Sequence, residues 1–116
     1  NKIYARSGSD TIKAYGGANT IDADDDGNAD NITAEGGTNI IDAGSGNDTI
    51  TAKGGYNDID AGSGNDTITA EGGYNKIYAR SGSDTIKAYG GANVIDANDD
   101  GNADNIYAAG GANVID

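Results

Sequence analysis

A nonapeptide recurs along the whole chain, and it constrains the fold more than any other feature. From Ala43 the units read AGSGNDTIT, AKGGYNDID, AGSGNDTIT, AEGGYNKIY, ARSGSDTIK and AYGGANVID, each opening on Ala and carrying Ile at its eighth position. Glycine in every unit rules out helices, where each would cost about 1 kcal/mol relative to alanine. The eighth-position Ile and the Ala that opens the next unit are two residues apart, so in a strand both face one side while their neighbours face the other. Two turn types alternate, one ending in Asp and one in Asn, so the structural period is 18 residues. A strand this short is unstable alone. Stacked on its counterpart about 4.8 Å away it gains a parallel ladder, and the return strand supplies the crossover that parallel pairing requires. The repeat therefore predicts an all-β parallel solenoid with 18 residues per coil and two short parallel sheets. Ile12, Ile32, Ile50, Ile68, Ile86 and Ile106 would stack inside one sheet, and Ile3, Ile21, Ile41, Ile59, Ile77, Ile95 and Ile115 inside the other.

A longer period overlies this one. Residues 1–42 match residues 75–116 at 36 of 42 positions, an offset of 74 residues made of seven nonapeptides and one 11-residue unit. The expectation is a single domain over residues 1–116, a window of a longer array, because neither end shows the atypical polar unit that caps a solenoid. A designed or consensus sequence is the alternative.

Composition narrows the function classes. With 35% hydrophobic residues and no Phe, Trp, Met, Cys or Pro, the chain can bury little besides Ile and Ala. A net charge of −12 would repel nucleic acid and anionic membrane surfaces and favours cations as partners. Without Cys or His there is no disulfide, thiolate metal site or triad nucleophile with its proton shuttle. No apolar run approaches the ~20 residues of a membrane span, so membrane insertion is not expected, and no charged-then-apolar leader precedes Asn1.

The run Ala43-Gly44-Ser45-Gly46-Asn47-Asp48-Thr49-Ile50-Thr51 resembles the RTX, or haemolysin-type, calcium-binding nonapeptide, with Ala in place of the first Gly, and Ala61 to Thr69 repeats it unchanged. The resemblance covers essentially the whole chain. It implies a right-handed parallel β-roll with calcium between successive turns on one side, held by turn carbonyls and the sixth-position Asp. Carried onto this sequence, it nominates Asp10, Asp30, Asp48, Asp66, Asp84 and Asp104, with the turn glycines Gly8, Gly44, Gly46, Gly62, Gly64 and Gly82. Glycine lets consecutive carbonyls turn toward one point, and the carboxylate adds the charge that a hard, oxygen-seeking ion requires. Six stacked turns would leave gaps for about five ions. Without ions the Asp column is a like-charge ladder.

The opposite turns depart from that pattern, with Asn19, Asn39, Asn57, Asn75, Asn93 and Asn113 in the sixth position. An amide offers an oxygen but no charge, so these turns are expected to close as an asparagine ladder with few or no ions. In the 11-residue units, Asp22-Ala23-Asp24-Asp25-Asp26-Gly27 and Asp96-Ala97-Asn98-Asp99-Asp100-Gly101 resemble the start of an EF-hand loop but lack its closing Glu. They read as bulged turns whose Asp24, Asp26, Asn98 and Asp100 add ligands to the same ion row. An acidic solvated loop is the alternative.

The outward faces offer weaker signals. Thr49/Thr51 and Thr67/Thr69 form the paired-threonine pattern used by ice-binding solenoids, but Lys13 and Lys87 interrupt it. Asp22, Asp42 and Asp60 form one column, Glu35, Lys53 and Glu71 alternate in sign down another, and Tyr56 and Tyr74 are adjacent and expected to stack. Carboxylates one coil apart resemble a glycosidase pair in spacing, yet nothing forms a pocket, so no enzyme is expected. The reading is a calcium-binding structural segment of a secreted bacterial adhesin, surface-layer or filament protein, extracellular or at the cell surface, folding when calcium binds. Unpaired strands at the two ends also allow end-to-end self-association. An ice-binding solenoid and an export module of a larger RTX enzyme or toxin are the alternatives.

Overall fold

The computed structural model describes every residue except Asp25, Asp26 and Asp99. Among the described residues all regular structure is β: β1 (Lys2–Tyr4), β2 (Thr11–Tyr15), β3 (Ala18–Asp22), β4 (Asn31–Asp42), β5 (Thr49–Asp60), β6 (Thr67–Tyr78), β7 (Thr85–Asp96) and β8 (Asn105–Ile115). Every pairing is parallel and joins equivalent positions of the repeat, Ile50 to Ile68 and Ile59 to Ile77, as an 18-residue period demands. Across an 11-residue unit the offset becomes 20, pairing Ile12 with Ile32 and Ile86 with Ile106. The two extra residues are therefore absorbed in the turn, and the strands on either side keep their faces.

The two faces are those the repeat predicts, but the ladder between them does not stop at the asparagine corner. From β4 onward each strand runs through its Gly-Gly pair, with Gly54 opposite both Gly36 and Gly72. The coils approach so closely there that a Cβ on Gly54 would lie 2.1 Å from the Gly36 carbonyl oxygen. From β4 onward the sheet thus folds over this corner without a break and opens at the aspartate corner. A flat body of 36 × 36 × 13 Å results, its thin dimension close to the roughly 10 Å between packed sheets.

Its interior is two Ile columns and two Ala columns. Ile21, Ile32, Ile41, Ile50, Ile59, Ile68, Ile77, Ile86 and Ile95 are fully buried, and Ala14, Ala34, Ala52, Ala70 and Ala88 share the same core with Ala23, Ala43, Ala61, Ala79 and Ala97. Burying each Ile contributes about 1.5–3 kcal/mol. The small Ala beside it is what lets the faces approach. Both corners of this slot are closed by buried polar side chains, Asn19 to Asn93 on one side and Asp30 to Asp84 on the other.

Candidate metal centre

The two corners satisfy their polar groups differently. In the asparagine corner each side-chain amide donates to the next side-chain oxygen, Asn19 to Asn39, Asn39 to Asn57, Asn57 to Asn75, Asn75 to Asn93 and Asn93 to Asn113, at 2.7–2.8 Å. The second amide hydrogen donates to a main-chain carbonyl of the next coil, such as Lys53 O at 3.1 Å and Tyr89 O at 3.0 Å. An amide carries both donor and acceptor, so the column is self-complementary and the expected ladder is formed.

A carboxylate has no donor, and the aspartate corner takes another route. The main-chain N–H of each Asp donates to the Oδ1 of the Asp one coil on: Asp10 to Asp30, Asp30 to Asp48, Asp48 to Asp66, Asp66 to Asp84 and Asp84 to Asp104, at 2.7–2.8 Å. This uses one oxygen per carboxylate. The Oδ2 atoms of Asp48, Asp66 and Asp84 are buried without a hydrogen-bond partner, on residues no more than 2% exposed. A buried, unpartnered carboxylate oxygen is costly unless it is protonated or meets a cation. Each of these three atoms therefore fits a calcium ion, held in its own turn by Asp48, Asp66 or Asp84 together with turn carbonyls.

The turn carbonyls are closely set. Gly44 O accepts from Ser63 N–H and Ser63 O from Gly46 N–H, each at 2.8 Å, and the next coil repeats this with Gly62 and Ser81. Each carbonyl keeps a second lone pair, which a six- to eight-coordinate ion would use. No group of three or more acidic side chains converges among the described residues, so the main chain must supply most of the ligands. Gly8 lies in the first turn, at φ +102°.

The 11-residue units sit apart from this geometry. Asp24 is exposed, its own N–H 3.4 Å from Asp22 Oδ1, and its Cα lies against Gly44. Asn98 is exposed at φ +58° and donates its N–H to Asp96 Oδ1. Asp100 Oδ2 accepts from Gly82 N–H at 2.7 Å and from the Asn102 amide at 2.8 Å, while its Oδ1 accepts from Asn102 N–H at 2.8 Å. Those donors hold its carboxyl below the usual carboxylate range. Asp10 and Asp104 are half-buried at the two ends of the row. Asp26 lies outside the described residues.

Burial pushes the carboxyls of Asp48 and Asp84 up, and that of Asp66 up to about 7, with neighbouring Asp charges adding to the effect and the donated N–H opposing it. The folded, calcium-free chain then binds protons more tightly than the unfolded chain between the ordinary Asp value of 3.8 and about 7. Stability is fully present below that window and is lost as pH rises through it. In EDTA, the strand signal in far-UV circular dichroism is expected to be larger at pH 5 than at pH 8. Equal signals would mean that these carboxyls titrate normally.

On the outer faces the expected columns are in register: Asp22, Asp42 and Asp60, with Asp58 beside Lys76, and Glu35, Lys53 and Glu71. Burial, then the charges of Asp60, Asp24 and Asp22, raise the Asp42 carboxyl. The Tyr56 and Tyr74 rings stack with centroids 5.4 Å apart, and Tyr78 lies under the Lys76 ammonium and the Arg80 guanidinium. Sequence reasoning missed Arg80, which stands at φ +73° where other turns have Gly44 and Gly62, and which grips Asp60 through Nε at 2.9 and 3.1 Å. The substitution of Arg for Gly next to an acidic column was the available signal. It also missed a second amide row, in which Asn47 Oδ1 accepts from Asn65 N–H and Asn65 Oδ1 from Ser83 N–H.

A stack of 18-residue coils with glycine turns on one side and buried carboxylates between them defines a calcium-binding β-roll repeat. The family model for the RTX calcium-binding nonapeptide repeat matches in overlapping segments from residue 1 to residue 102, and the chain belongs to that family. It is a calcium-binding repeat module of the RTX type. No curated protein and no solved structure matches it.

Proposed function

We propose that this chain is a non-enzymatic, calcium-folded spacer in a secreted bacterial RTX protein, extracellular or at the cell surface as part of an adhesin, surface layer or filament. The observation that carries the reading is the set of unpartnered, buried Oδ2 atoms of Asp48, Asp66 and Asp84. In a chain of net charge −12 whose core is Ile and Ala, those charges oppose folding until a cation meets them. Where calcium is scarce the chain stays open, and where calcium is abundant it closes into a stiff slab. The asparagine corner holds no ion, because its amides already satisfy one another. The Thr49–Thr67 and Thr51–Thr69 pairs are in register, but the next coil continues the second column with Lys87, which favours a spacer over an ice-binding face. Among the described residues no helix is long and apolar enough to cross a membrane.

Far-UV circular dichroism during a calcium titration from an EDTA-treated start tests this, with magnesium as the control. Strand signal is expected to appear cooperatively with calcium and not with magnesium, whose small octahedral shell suits a carbonyl-rich site poorly. A spectrum that is fully β in EDTA at pH 8 and indifferent to calcium would overturn the proposal.

A further inference from the structure

We propose that the 11-residue units divide the calcium row into blocks of three coils, and that Asp100 seals a block without itself holding an ion. This rests on the reading that calcium binds along the Asp row. Within the regular coils, neighbouring turns are knitted by main-chain hydrogen bonds: Ser63 N–H to Gly44 O, Gly46 N–H to Ser63 O, Gly64 N–H to Ser81 O and Ser81 N–H to Gly62 O. Among the described residues these bridges join Ser45 to Ser63 and Ser63 to Ser81. The unpartnered carboxylate oxygens belong to the same three turns, at Asp48, Asp66 and Asp84. Among the described residues these bare, buried oxygens mark one stretch with an 11-residue unit on either side.

The boundary after Gly82 shows how a block closes. In the two preceding turns the fourth-position glycine donates its N–H to a serine carbonyl of the next coil, but the coil beyond Gly82 is an 11-residue unit with no serine there. Asp100 Oδ2 takes that N–H at 2.7 Å. With the two bonds from Asn102, its carboxylate accepts three N–H groups, whose positive ends surround it and stand where a cation would approach. Asp100 therefore replaces the missing carbonyl. One 74-residue period contains three regular turns and one such unit, so the ion number of an array would follow its long period and not its coil count.

Bound calcium would be counted by equilibrium dialysis on the 116-residue chain and on the Asp84→Asn, Asp100→Ala and Asp100→Asn variants. Amide exchange at Gly82 would be followed by NMR in the calcium-saturated state. The expected result is no more than three ions in the parent chain, one for each unpartnered oxygen, and one fewer in Asp84→Asn. Both Asp100 variants should keep the parent number. Gly82 should exchange about tenfold faster in Asp100→Ala but stay protected in Asp100→Asn, whose side-chain oxygen still accepts. About five ions in the parent, or loss of an ion in Asp100→Asn, would overturn the inference. Asp100→Asn keeps the acceptor and removes only the charge, so it decides the matter even if Asp100→Ala does not fold. A parent chain that binds no calcium at all would instead bring down the proposed function, before any variant is compared.

Discussion

Gly64→Ala is expected to abolish the calcium-folded state or to destabilise it by on the order of 4 kcal/mol or more, whereas Gly37→Ala should be nearly neutral. A Cβ on Gly64 would lie 1.6 Å from the Gly46 carbonyl oxygen and 2.6 Å from its carbon, both main-chain atoms of the coil below. Neither can swing aside, so the coils would have to part. Parting them would stretch Gly46 N–H to Ser63 O and Ser63 N–H to Gly44 O, and would pull apart the turns that carry Asp48 and Asp66. Gly64 also sits at φ +130°, where an L side chain adds strain of about 1–3 kcal/mol. At Gly37 the nearest atom to a new Cβ is Gly17 O at 3.6 Å, an ordinary contact, and its φ is not positive. There alanine lowers the entropy of the unfolded chain and could add a few tenths of a kcal/mol. Urea unfolding in saturating calcium compares the two. Equal behaviour would mean that the aspartate turns are looser than their bonds imply.

The contrast bears on what the sequence can reveal. Register was legible because an 18-residue period places each residue over its counterpart in the next coil, and that fixed both Ile columns, the Glu35–Lys53–Glu71 alternation and the stacking of Tyr56 on Tyr74. The asparagine ladder was legible for the same reason, since an amide column pairs with itself whatever the finer geometry of the turn. The continuity of the sheet through the Gly-Gly corner was not, because it depends on how closely successive corners approach, and spacing in sequence does not report this.

The aspartate corner shows where a one-dimensional reading ends. That the Asp residues line one side follows from the repeat. That each gives one oxygen to a main-chain N–H and leaves the other bare depends on where the turn places that N–H. The 11-residue units were harder still. Their acidic pattern resembles a calcium loop, but what Asp100 does depends on which neighbouring donor lacks a carbonyl, and Gly82 is 18 residues away in another coil. Arg80 reached Asp60 for a similar reason, through a turn conformation that the residue type alone would argue against.

Replacing one rung of the amide ladder with the residue of the opposite corner probes the division of labour between the two. Asn75→Asp is expected to cost on the order of 4 kcal/mol at pH 8 in saturating calcium. Asn75 accepts from the Asn57 amide, and its own amide donates to Asn93 Oδ1 and to Tyr89 O. Aspartate keeps the acceptor but sets a charged oxygen against two others in a fully buried position. Unlike the residues of the Asp row, it would have no main-chain N–H arranged to receive it. Acidification supplies one donor, because a protonated carboxyl can bond to Asn93 Oδ1 or Tyr89 O but not to both. The stability gap between variant and parent should therefore narrow as pH falls through the raised carboxyl value, although both chains, whose calcium row needs ionised carboxylates, lose calcium-dependent stability over the same range. Urea titrations of both proteins at pH 8 and pH 5 give the comparison. An Asn75→Asp variant as stable as its parent at pH 8 would mean that the asparagine corner can accept a charge, and that its amides are not what keeps calcium to the opposite side.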